Sequence, residues 1–179
     1  SGLNSAILRL EWEGGVTEHV SYQVHNRVYW SLTNADTGTG GLVGLGATKP
    51  PPRTFDLKSV IVDDDGLYFE HDIDRLAVNI FTPYGDVSIG RQAVTWGVAS
   101  MFAVADVWTQ FSPFELDTSQ KRGVDSLRWI SYPIEDLELD VVVADRGQAD
   151  LHSFGAKASW TSGMSDQYFA VAKSFRQEG

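Results

Sequence analysis

The run from His19 to Leu32 constrains this chain more than any other stretch. Val20, Tyr22, Val24, Val28, Trp30 and Leu32 alternate with His19, Ser21, Gln23, His25, Arg27 and Ser31. Only Asn26 interrupts the apolar set and only Tyr29 the polar one. Period two is the signature of a strand with two unlike faces, because successive side chains leave a strand on opposite sides. About 14 residues of it is long against the usual strand of about 5 to 6 residues. A tilted barrel strand that starts inside a membrane and projects beyond it has this length.

The same pattern recurs in shorter form. In Ser5–Glu13, Ala6, Leu8, Leu10 and Trp12 oppose Arg9, Glu11 and Glu13, and Gly14-Gly15 reads as a turn. Phe55–Asp63 and Leu67–His71 flank the hairpin signal Asp64-Asp65-Gly66, and Asp72-Ile73-Asp74 reads as another turn. Leu76–Thr82 and Asp86–Thr95 are joined by Pro83-Tyr84-Gly85, in which proline presets φ and glycine accepts φ > 0. Val124–Tyr132 turns at Pro133–Asp136 into Leu137–Ala144, and Leu151–Trp160 turns near Gly163 into Gln167–Phe175. The expectation is an all-β antiparallel meander of about 8 to 10 strands in a single domain over 1–179, with long loops at 33–54 and 98–123. A partial transmembrane β-barrel is the leading architecture and a soluble β-sandwich or jelly roll the alternative, since alternation alone suits both.

Composition removes several function classes. The chain has no cysteine, which excludes disulfides, thiolate metal sites and cysteine nucleophiles. A formal charge of −10 argues against nucleic acid as a partner. The four histidines lack metal-site spacing, and Asp63–Gly66 lacks the distant glutamate of a calcium loop, so neither a metal nor a cofactor is expected. No GxSxG, Walker or dinucleotide fingerprint occurs, and the expectation is a protein that is not an enzyme. Pairs among Glu11, Glu13, Glu70 and Asp72 leave glycoside hydrolysis open under the soluble alternative.

The segment Thr82–Gln92 followed by Thr95-Trp96-Gly97 resembles porin-type outer-membrane barrels of Gram-negative bacteria, with large alginate-export barrels carrying a similar phrase. Phe111–Asp117 and Gly123–Arg128 are similar to the stretch that follows it there, so the resemblance spans roughly Leu67 to Val143. Such porins are usually more than twice as long and end on a strand with a terminal aromatic, whereas here Phe175 is followed by Arg176-Gln177-Glu178-Gly179. The resemblance implies an outer-membrane channel, or the N-terminal part of one, for passive diffusion of small solutes, set in a lipid and lipopolysaccharide bilayer and compatible with a homo-oligomer. It implies that Arg91 projects into the lumen and that Glu115, Asp117, Lys121 and Arg122 line a constriction on an inward-folding loop. The acidic excess favours cationic solutes. Trp12, Trp30, Trp96, Trp129 and Trp160 fall near strand ends, where a membrane girdle or a ligand-stacking platform places them. The soluble alternative is a secreted or periplasmic protein that binds carbohydrate or another small ligand.

Overall fold

A computed structural model describes residues 3–33, 53–64, 66–94, 96, 123–145, 152–163 and 165–173. Within them the chain is all-β. The strands are β1 (Leu3–Thr17), β2 (Val20–Thr33), β3 (Lys58–Asp64), β4 (Leu67–Thr82), β5 (Gly85–Gln92), β6 (Val124–Ile134), β7 (Leu137–Asp145), β8 (Ser153–Ser162) and β9 (Ser165–Lys173). They form one antiparallel sheet in the order β1-β2-β4-β5-β6-β7-β8-β9, with β3 added to β4. The sheet is open: β1 and β9 do not pair with each other, and no second sheet packs against it among the described residues.

Two turn readings need correction. Gly14-Gly15 is not a turn; β1 continues through it and reverses at Glu18-His19. The Tyr22 ring lies where a Cβ on Gly14 would stand, so the glycine makes room for a cross-strand aromatic. Asp72-Ile73-Asp74 is also inside a strand. β4 runs unbroken for 16 residues, and the register against β2 slips between His25 and Asn26, leaving Asp74 as a bulge. That extra residue lets Leu67–Ile73 and Leu76–Ile80 keep their apolar side chains on one face, since a slip of one residue otherwise exchanges faces. The Pro83-Tyr84 turn is as expected. Gly85 takes φ 131°, and the Thr82 hydroxyl donates to the Gly85 carbonyl at 2.7 Å while accepting from the Tyr84 N–H.

The second half of β5 follows from Gly90. Its φ is 120°, and a Cβ there would lie 2.2 Å from the Leu76 carbonyl oxygen. Only glycine tolerates that backbone and that approach. β5 ends at Gln92, short of the expected Thr95, and β3 occupies the flank of β4 that β5 vacates.

All four connections at one end of the sheet are tight, namely β1–β2, β4–β5, β6–β7 and β8–β9. The longer connections 34–57, 93–123 and 146–152 join strands on the side of the β3–β4 turn. The expected loops at 33–54 and 98–123 fall mostly outside the described residues.

Candidate functional site

The two faces of this sheet are built from opposite chemistry. One cross-strand row reads Tyr22–Val78–Ile89–Leu127–Val143–Phe154, each residue directly opposite the next. The neighbouring row on the same face reads Val20–Ile80–Val87–Trp129–Val141–Ala156–Val171. Cross-strand neighbours of this kind stabilise a sheet laterally, but they do not take the outer surface of the rings and methyls out of solvent. Val78 is 43% exposed, Ile89 50% and Phe154 51%.

The other face carries the charges, and there they are buried. Asp74 and Asp140 are 0% exposed, Asp72 1%, and Arg27, Glu70 and Arg91 2%. Burying ionised groups is costly unless each is paired and hydrogen-bonded, and the strands supply the partners by register. On β1, β2 and β4, Arg9 pairs with Asp74 at 2.5 Å, and Arg27 lies 3.5 Å from Glu70. Glu70 also takes Lys58 at 2.6 Å and the Tyr68 hydroxyl at 2.6 Å. Arg53, just before β3, gives one amino group to both oxygens of Asp72 at 2.7 and 2.8 Å. His25 sits between Glu13 at 2.9 Å and Glu11 at 3.7 Å. Arg27 also stacks over the Tyr29 ring at 5.8 Å, and Tyr29 meets Tyr68 at 6.0 Å between centroids.

Further across the same face the network thins to neutral hydrogen bonds and then resumes. Asn79 links Ser21 and Ser88 across β2, β4 and β5 at 3.2 and 2.7 Å. Asp140 on β7 receives Arg128 at 3.0 and 2.6 Å and the Trp96 indole N–H at 2.6 Å. Trp96 and Val94 pack there against Val124, Val142 and Ala144, with Ala170 alongside. The segment after β5 therefore lies on the polar face of β6 and β7.

Arg91 stands at the notch where β5 gives way to β3. Its Nε donates to Asp125 at 2.9 Å, and its other nitrogens donate to the carbonyls of Ile73 (2.8 Å) and Phe55. Asp125 in turn accepts from the N–H groups of Thr54 and Phe55. One ion pair thus satisfies backbone groups of Thr54 and Phe55, ahead of β3, and of Ile73, beside the β4 bulge. Arg91 is sealed into this junction at 2% exposure. Glu115, Asp117, Lys121 and Arg122 lie outside the described residues.

Among the described tryptophans, Trp12, Trp30, Trp129 and Trp160 belong to the apolar face by register, and Trp96 is buried on the polar side. Near the tight-turn end the polar face holds a half-open cavity of about 440 Å³. Tyr132 and Tyr168 border it together with Glu138, Asp166 and Lys157. Lys157 pairs with Glu138 at 3.0 Å, and Thr161 donates to Asp166 at 2.9 Å. Sequence reading named neither the Arg128–Asp140–Trp96 cluster nor the Arg53–Asp72 pair. Their only trace in the sequence was charged residues at the polar positions of alternating runs.

No family model, curated protein or solved structure matches the chain significantly.

Proposed function

We propose that this chain forms wall of an outer-membrane β-barrel of the porin type, with the polar face toward a lumen through which small solutes diffuse. The observation that carries the reading is the inverted partition of the sheet: Val78 is 43% exposed while Asp74, on the same strand, is 0%. Water penalises such an arrangement, whereas a bilayer outside and a hydrated, ion-paired interior favour it. The dimensions agree. Tyr22 to Leu32 covers about 33 Å at roughly 3.3 Å per residue, which at a tilt of about 40° is about 25 Å of apolar height. Tight turns at one end and long connections at the other also match the layout of such barrels, with short turns on the periplasmic side.

Selectivity in this reading comes from the charges left around the lumen rather than from those already paired. Around the cavity, Lys157 pairs with Glu138, and Glu135, Asp136 and Asp166 leave an excess of negative charge, so the tight-turn mouth favours cationic solutes. Arg91 acts as a structural clamp, which its pairing with Asp125 supports. The test is extraction and reconstitution. The protein should require detergent, migrate as a heat-modifiable band and raise the conductance of a planar bilayer. Monodispersity in buffer without detergent would sink the reading.

A second reading has one observation in its favour. The cavity edged by Tyr132 and Tyr168 offers rings and carboxylates to a carbohydrate. Saturable binding of oligosaccharide by detergent-free protein, abolished by Tyr168→Ala, would support it.

A further inference from the structure

The walls of the cavity near the tight-turn end suit one kind of solute. Glu138, Ser159 and Tyr168 form a cross-strand row across it, and Asp140, Lys157 and Ala170 form the next row on the same face. Between Ser131 and Ile134 the β6–β7 register shifts, so that Tyr132 and Pro133 together oppose Glu138. A bulge of this kind re-aims a side chain, and Tyr132 takes its place beside the cavity. Two tyrosine rings thus come to one hollow from β6 and β9, which are not neighbours.

The rim is tied down as well. Glu135 and Asp136 fill the two-residue turn between Ile134 and Leu137. The Asp136 carbonyl accepts from the Thr161 N–H at 3.1 Å, and the Thr161 hydroxyl donates to Asp166 at 2.9 Å. Thr161 therefore joins the β6–β7 turn to the start of β9. Lys157 shows what the hollow accepts: its ammonium sits on Glu138 at 3.0 Å, so one alkylammonium is already housed there. Glu138 is thereby matched, whereas Glu135, Asp136 and Asp166 have no cation paired with them among the described residues.

These walls choose among ligand classes. A metal ion needs several hard ligands converging on one point, and no such group of three exists among the described residues. An anion meets an excess of like charge. A planar organic cation finds both of its needs met. Its N–H groups make charge-assisted hydrogen bonds to carboxylates, and its face lies on tyrosine rings that attract positive charge. The volume of about 440 Å³ falls within the roughly 300–1,000 Å³ of small-molecule sites. Resting on the cation preference read at this mouth, we infer that the cavity is a saturable site for organic cations with an amidinium or guanidinium head on a small apolar body.

Benzamidinium and its neutral isostere benzamide test this on the unsubstituted full chain. Calorimetric titration in uncharged detergent should show one benzamidinium bound per chain, about 10-fold tighter than benzamide, the worth of one charge-assisted hydrogen bond. Glu135, Asp136, Asp166 and Tyr168 are exposed, so changes there spare the core. Glu135→Gln, Asp136→Asn and Asp166→Asn together should abolish the preference for the charged probe. Tyr168→Ala should weaken benzamidinium by about 3-fold, and Tyr168→Phe should keep the ring and the affinity. Equal affinity for the two probes would overturn the site, and cation-selective conductance beside it would leave the channel reading standing. Displacement of benzamidinium by a neutral oligosaccharide that binds more tightly would also overturn it, in favour of a carbohydrate. The stated benzamidinium profile in protein monodisperse without detergent would uphold the site and overturn the channel.

Discussion

The apolar and polar faces of β4 lie on the same sixteen residues, yet they are held by different forces. Val78 and Ile80 have apolar neighbours on both adjacent strands and none above them among the described residues, so their stabilisation depends on what medium covers the sheet. Glu70, Asp72 and Asp74 are enclosed, and each depends on one or two named cations. The comparison teaches that the apolar face is tolerant in detail and demanding in kind. Any apolar residue serves there, but no charge does. The polar face is the reverse: it accepts charge, but only with its partner in place.

The largest effect is expected where a buried charge loses its counter-charge. Asp140→Ala removes the acceptor of both Arg128 and Trp96, and about 3–5 kcal/mol of stability should go with it. Denaturant unfolding of the vesicle-bound protein would measure this, and a loss below about 1 kcal/mol would mean that Arg128 is already solvated. Next comes the apolar face. Val78→Arg should cost about 2–4 kcal/mol in a bilayer near its midplane, but very little if that face meets water. A near-zero value would reverse the assignment of the two faces. Gly90→Ala should cost about 1–3 kcal/mol from φ 120° alone, with the approach to the Leu76 carbonyl adding to it. Thermal unfolding that matches the parent would show that β5 does not need its bend. The smallest effect belongs to the neutral ladder: Ser88→Ala gives up one hydrogen bond to Asn79, worth about 1 kcal/mol. A loss as large as that of Asp140→Ala would place Ser88 in a network beyond the Asn79 contact.

How much of this could be read from the residues depended on how local each cause is. The β2 alternation, the Pro83-Tyr84 reversal and the β6–β9 hairpins rest on neighbours in sequence and were legible to within a few residues. Asp72-Ile73-Asp74 was not. Two aspartates around one apolar residue carry a turn signal, and what cancels it is Arg53 and Arg9, which lie 19 and 65 positions away. Gly14-Gly15 failed for the same kind of reason, because the ring that needs the space, Tyr22, comes from the next strand. Arg91 visibly breaks an apolar run, but its destination, a notch between β5 and β3 closed by Asp125, exists only once three strands are assembled. The candidate site was the least legible part, since ion pairing on the polar face is set by cross-strand register and carries no motif.

The central claim is that the apolar face meets lipid, and a nitroxide scan along β2 tests it most directly. Single cysteines placed in turn from Tyr22 to Leu32 would be spin-labelled in phospholipid vesicles and read for oxygen accessibility. The account predicts a period of two, with maxima at Tyr22, Val24, Asn26, Val28, Trp30 and Leu32 and minima at Gln23, His25, Arg27, Tyr29 and Ser31. Low oxygen accessibility without alternation, or protein that stays in the aqueous phase, would contradict it.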